Sequence, residues 1–470
     1  MSEITLHPDR LFPTDPSIRS VARSLYQEVA DLPIVSPHGH VDPALLVDDE
    51  PFPDPANLLV VPDHYVTRLL HAHGVSFDRL GVPPGSANGA DPRAIWRTFC
   101  EHWWAFRGTP SRYWLEAELV EVFGIRTPPS AENADILYDQ LAARLASDDC
   151  RPRALFERFG IEVLATTDDP CDDLSPHRAL AEDADFKGRV IPTFRPDAYL
   201  NPMRADWADR IAKLGEVSGQ DTSSYAGYIA ALEQRRAYFK ANGGTATDHG
   251  ADDAGSESLS EADATRIFAA TLAGTAAGEE QVAFRRHMLS EMARMACDDG
   301  LVMQLHPCVL RDHHTSTFET FGRDVGGDLP VAAEYTRALR PLLNRYGTHP
   351  NFRIVLFTTD EDVFGREIAP LAGFYPSVFV GAPWWFTDTP DAIIRFREAV
   401  TDTAGFHKTA GFVDDTRAYC SIPARHDMAR RLDCSYLARL VTEHRLPEDE
   451  ALDTARDLAY RLPAETFRVA

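Results

Sequence analysis

At 470 residues, 44% of them hydrophobic and 25% charged, the chain is long enough to bury a large core and has the balance of a globular protein. Its formal net charge of −25 argues against nucleic acid or an anionic membrane surface as partner, so an anionic small molecule must be met by local arginines. The seven cysteines form no C-x-x-C pair and read as reduced thiols of a cytoplasmic protein; neither a signal-peptide pattern nor an apolar run of about 18 residues occurs.

The first strand signal is LPIV (32–35), short, β-branched and followed by Pro37. His38 and His40 come next. On an extended backbone residues two apart face the same side, so both imidazoles can converge on one point. Two such rings are half of a zinc-type site, or two surface histidines at a turn. Residues 44–160 are too long for a simple crossover. They are rich in helix-like and aromatic segments and predict a helical insertion over the mouth of the fold.

Seven more apolar runs ending in polar residues follow, at 161–170, 189–197, 244–250 (the weakest), 301–307, 352–360, 375–385 and 409–417. Helix-like stretches at 279–300 and 332–347 lie between the later ones, with Gly300 and Gly347 at helix-ending positions. The acidic, small-residue segment 247–265 reads as a loop, and 421–446 as an amphipathic helix outside the strands. Eight strands alternating with helices predict an α/β chain forming one (β/α)8 TIM-like barrel over 1–470, with 44–160 inserted after the first strand. A doubly wound open sheet is the alternative; no G-x-G-x-x-G or Walker loop supports its nucleotide-binding form.

In a closed barrel the eighth strand neighbours the first. Asp415, in GFVDDTR, could then join His38 and His40 at one metal with positions left open. One of Asp414 and Asp415 is equally read as a helix cap.

With that pattern the sequence resembles the amidohydrolase superfamily and, more closely, the uronate isomerases. The resemblance runs over nearly the whole length: HGH (38–40), DHY (63–65), GTPSRYWLE (108–116), TTDDP (166–170), RPD (195–197), SGQDTSSY (218–225), TDHG (247–250), QLHPCVLRDHH (304–314), GAPWWFTD (381–388) and DDTRAYCSIPARHD (414–427). It implies interconversion of D-glucuronate with D-fructuronate, of D-galacturonate with D-tagaturonate, or both. It also implies one divalent metal, zinc, on His38, His40 and Asp415, with Tyr65 and Arg417 facing a sugar-acid substrate. No lysine follows the fourth strand signal, which argues for a single metal.

Moving a proton from C2 to C1 through an enediol needs a base, charge stabilisation and proton traffic between oxygens. Asp415, or a water it contacts, is expected as base, Arg417 as the enediolate partner and Tyr65 as proton donor and acceptor. Arg195 and Arg311 are expected on the substrate carboxylate, Trp384 and Trp385 as an apolar wall, and His306 as a substrate contact or ligand. The bland alternatives are an Arg195–Asp197 ion pair and a turn histidine at 306. The role of His249 is open, and a homo-oligomer is expected. The rival readings are a mononuclear metal-dependent hydrolase or decarboxylase on the same scaffold, and a sugar-acid binding protein with a decayed site.

Overall fold

Short, buried parallel strands form the centre of the molecule. A computed structural model describes residues 3–83 and 89–470. β1 (Ile34–Ser36), β2 (Ile161–Ala165) and β3 (Arg189–Ile191) make one parallel sheet in that order. β4 (Thr193–Phe194), β5 (Ala246–Ala251) and β6 (Val302–Pro307) belong to a second parallel sheet. β7 (Val309–Leu310) and β8 (Leu329–Pro330) pair as a small antiparallel hairpin. β9 (Ile354–Leu356) and β10 (Val378–Val380) complete the second sheet, whose order is β10-β9-β6-β5-β4.

β3 and β4 are one extended segment interrupted by Pro192. Proline has no N–H to give to a ladder, so the pairing passes from one sheet to the other there. Thr166 N donates to Ile191 O and Arg195 N to Asp168 O, each at 3.0 Å, across the break.

Side chains alternate between two cores, as strand geometry requires. Val302 and Val355 join Phe357, Phe412 and Phe467 in one cluster. Met303, Leu305, Ile354 and Leu356 face the surrounding helices with Phe284 and Met288. Each fully buried side chain of this kind contributes roughly 1.5–3 kcal/mol.

The expected eighth strand is the main correction. After β10, Thr409 bridges Val380 and Ala410 N donates to Val380 O at 2.9 Å. Residues 410–416 then form no strand, because Gly411 and Asp415 take positive φ of 75° and 38° and break the extended run. The segment still meets the chain beyond β1, where His40 N donates to Thr416 O at 3.0 Å. By contrast β5, the weakest strand signal, is a full six-residue strand. Its polar Thr247, Asp248 and His249 are buried, which is why hydropathy understated it.

Between β1 and β2 the chain is helical, including His64–Ala72, Pro92–Glu101, Pro110–Ala117 and Ala134–Leu145. These helices share an aromatic core of Trp96, Phe99, Trp103 and Phe106. The Asp63 carboxylate caps His64–Ala72 by accepting from Tyr65 N at 2.8 Å, so the helix starts where the site needs it.

One helix end holds, and the other helix and loop expectations change. Helix Gly278–Asp299 ends on Gly300 in the left-handed region (φ 79°), as expected. The 332–347 helix begins only at Arg340, since Glu367 Oε2 holds Tyr335 N at 2.6 Å and the Tyr335 hydroxyl donates to Phe357 O at 2.6 Å. Its terminal Gly347 serves space, not φ: a Cβ there would meet Leu343 O and the Tyr375 ring at 2.5 Å. The 247–265 loop shrinks to the residues between Ala251 and Glu261, and Ser256 N pins it to Ala338 O at 3.0 Å.

Helix Ile422–Thr442 is buried on most faces rather than amphipathic, its charges matched internally. Arg397 from the preceding helix forks onto Asp433 at 2.6 and 2.8 Å, both residues buried. Asp433→Ala leaves that guanidinium unpaired and is expected to cost about 3–5 kcal/mol, read as a shift in the urea midpoint. Adding Arg397→Leu should recover part of it. Among the described residues no helix is long and apolar enough to cross a membrane, and all seven cysteines are free thiols.

Candidate active site

A cavity of about 440 Å³ opens where the strands end. Its lining includes His38, His40, Tyr65, Arg195, His306 and Arg311, and also Trp384, Trp385, Asp415 and Arg417, so the cavity gathers every residue singled out in the sequence.

Asp415 reaches both histidines of the first motif. Its Oδ1 lies 3.4 Å from His38 Nε2 and 3.0 Å from His40 Nε2. Its left-handed backbone turns the carboxylate back toward them; aspartate tolerates that region better than most residues. Asp414 does not cap a helix but accepts from His426 Nε2 at 2.9 Å.

His306 belongs to the same cluster. Its ring stacks on His38 at 4.7 Å and on Phe357 at 4.1 Å between centroids. His38, His306 and Asp415 offer ligand atoms that all lie within 4.8 Å of one another. His306 Nδ1 donates to Asp248 Oδ1 at 2.7 Å, because an ionised carboxylate can only accept. That fixes the tautomer and leaves Nε2 bare, and this atom is buried with no protein partner. Burial holds the ring below its ordinary pKa despite Asp248, so the imidazole is neutral. A buried, neutral, carboxylate-oriented nitrogen with an unused lone pair suits a metal ion. The donor set of imidazoles and one carboxylate suits zinc or a similar divalent ion. His38, His306 and Asp415 therefore fit a cation; His40 meets Asp415 at 3.0 Å but is not part of that three-residue group.

Asp248 was missed in the sequence, where only its neighbour His249 drew notice. Burial alone would raise its carboxyl, but Arg195, His306 and His38 together hold it well below the usual range. It binds Arg195 Nη1 at 3.3 Å. Arg195 also donates to Asp197 at 2.9 Å, so the ion pair expected as the bland reading exists without removing the arginine from the cavity. Asp197 in turn accepts from Gly250 N at 3.0 Å, and burial raises its pKa to about 6. A Cβ on Gly250 would crowd both members of this pair at 3.1 Å, which accounts for a glycine there. His249 faces Thr247 at 3.0 Å, and burial lowers it to about 3.

The remaining residues line the cavity walls. Arg417 approaches His64 Nε2 at 3.1 Å and Asp324 at 3.4 Å. Arg311 pairs with Asp328 at 2.7 Å and lies over the Trp385 ring at 5.0 Å. Trp384 is buried and Trp385 partly exposed, their rings stacked 5.2 Å apart. Tyr65 is held from behind, its hydroxyl meeting both oxygens of Asp388 at 2.8 and 2.9 Å. Asp388 ends the motif GAPWWFTD, which was its only sequence signal.

A family model described as glucuronate isomerase matches residues 17–467. A uronate isomerase of Rhizorhabdus wittichii is 51% identical over 466 residues, covering 99% of each chain. The crystal structure of a glucuronate isomerase from Caulobacter crescentus superposes with a TM-score of 0.97 at 46% identity, covering 100% of this chain and 98% of that one. The crystal structure of a uronate isomerase from Thermotoga maritima gives a TM-score of 0.92 at 29% identity, covering 98% and 99%.

Proposed function

The chain belongs to the glucuronate isomerase family and is an aldose–ketose isomerase of uronates, and from that premise we propose how its residues divide the work. The substrate class is the open-chain hexuronate, D-glucuronate or D-galacturonate, with the matching 2-keto acid as product. What supports the roles below is one observation: Asp415 Oδ1 stands 3.0–3.4 Å from His40 and His38 in a cavity also lined by Tyr65, Arg195 and Arg417.

The Asp415 carboxylate removes the proton from C2 and, after exchange with solvent, delivers a proton to C1, so the C2–H bond breaks and a C1–H bond forms. Arg417 lies against the negative charge that develops on the enediol oxygens. Tyr65 moves the remaining proton between the two oxygens. Arg195, kept cationic by its acids, and Arg311 meet the substrate carboxylate, while Trp384 and Trp385 pack on its C–H surface and exclude water. A divalent cation, zinc by donor type, would be held by His38, Asp415 and His40 or His306, and would supply positive charge that acidifies the C2 proton.

We further propose that the parallel strands make a (β/α)8 barrel, with residues 409–416 in the eighth position. The hydrogen bonds from Ala410 N to Val380 O and from His40 N to Thr416 O support that closure. In such a barrel the strand ends carry the site, and the 44–160 helices cover its mouth by bringing in Tyr65.

Proton NMR of D-glucuronate and D-galacturonate with metal-loaded protein in D₂O tests the reading. The expected result is ketose with deuterium at C1 and washout of the C2 proton. Hydrolysis of an ester or lactone panel without ketose formation would overturn it.

A further inference from the structure

Tyr65 has one hydroxyl proton, and the structure says where it points. Both Asp388 oxygens lie at hydrogen-bond distance, and a carboxylate only accepts, so Tyr65 donates to Asp388. The lone pairs of the phenol oxygen are thus free for the cavity, which Tyr65 lines and Asp388 does not. Asp388 meets the main cavity through Tyr65, and otherwise borders only a void of about 10 Å³ among the described residues, beside Trp384 and Asp415.

Beside Asp388 stands a second buried charge, Arg425, which itself borders the cavity. Arg425 Nη1 donates to Asp388 Oδ2 at 3.2 Å, and its guanidinium lies 3.7 Å from the Trp114 ring centroid and 5.4 Å from that of Tyr65. Both Asp388 and Arg425 are more than nine-tenths buried. An ion pair this deep is a poor device for stability, since the cost of desolvating both charges offsets most of their attraction. Its contact with a cavity-lining hydroxyl gives it a use.

We propose that Asp388 is the positioning residue and proton acceptor for Tyr65, so that Tyr65, Asp388 and Arg425 form a relay carrying the hydroxyl proton of the substrate from O2 to O1. As the O2–H proton bonds to the Tyr65 oxygen, the Tyr65 proton passes to Asp388. When O1 takes a proton from Tyr65, Asp388 returns its own. The C2 proton travels separately through Asp415, so atoms and charge balance with no added reactant. Arg425 keeps Asp388 ionised between turnovers. Burial raises Asp388 above the usual carboxylate range even so, which makes it a better acceptor for a phenol proton.

This relay rests on the role given to Tyr65 above, and a double-mutant cycle separates the two. The rates of wild-type chain, Y65F, D388N and Y65F/D388N are compared on D-glucuronate at equal metal content. Each single variant should lower kcat by about 10²-fold or more, with KM changed less than about threefold. The double variant should be no slower than Y65F, because Asp388 has nothing to act on once the hydroxyl is gone. D388E keeps the charge facing Arg425 and is read in the same cycle, guarding against loss of fold in D388N. A double variant slowed by the product of the two single effects would overturn the relay, as would D388N within about threefold of wild type. Y65F with wild-type kcat would instead sink the role of Tyr65 itself.

Discussion

Asp415→Asn is expected to lower turnover by about 10³-fold while the protein keeps its fold and its cation. The substitution is chosen for its backbone: Asp415 sits at φ 38°, and asparagine accepts that region as readily as aspartate. The amide oxygen can still face His38 and His40, but it cannot take a proton from carbon. Exchange of the C2 proton with D₂O should therefore vanish together with ketose formation. Retained exchange, with metal content unchanged, would remove Asp415 as the base. Lost metal and lost exchange together would assign it a ligand role alone, so metal analysis belongs beside the NMR.

Removing the cation is expected to have an effect as large. Dialysis against a chelator should abolish measurable turnover, and one equivalent of a divalent ion per chain should restore it. His38→Asn should yield a folded chain that holds no ion at stoichiometric concentrations. His306 is the more informative position. Asp248 sets its tautomer across 2.7 Å, so Asp248→Asn should weaken metal affinity by roughly 10–100-fold without touching the ion directly. Undiminished affinity in both Asp248→Asn and His306→Asn would exclude His306 as a ligand and leave His40 in that place.

His38, His40 and Asp415 were legible in the sequence because their chemistry is written in spacing, whereas Tyr65 and Arg417 were implied by the resemblance to the uronate isomerases. HGH after an apolar run and D-x-R beyond a late one are local patterns, and each survives whatever the intervening helices do. The partners behind them were not legible. Asp248 lay in a strand whose buried polar residues hid its periodicity, and Asp388 and Arg425 sit 37 positions apart on segments with no shared pattern. A buried carboxylate that serves another side chain shows no sign of that role until the fold brings the two together.

The order of strands and the helical stretch after the first of them follow from composition and periodicity, and the front row of the site from motifs read with the family resemblance, because these depend on near neighbours in the chain. The break of the last strand at Gly411 and Asp415, the late start of the Arg340 helix, the buried run of Ile422–Thr442 and the second row behind His306 and Tyr65 were decided by packing. Each depends on hydrogen bonds and charges between residues distant in the chain, whose energies exceed the local preferences of any short stretch.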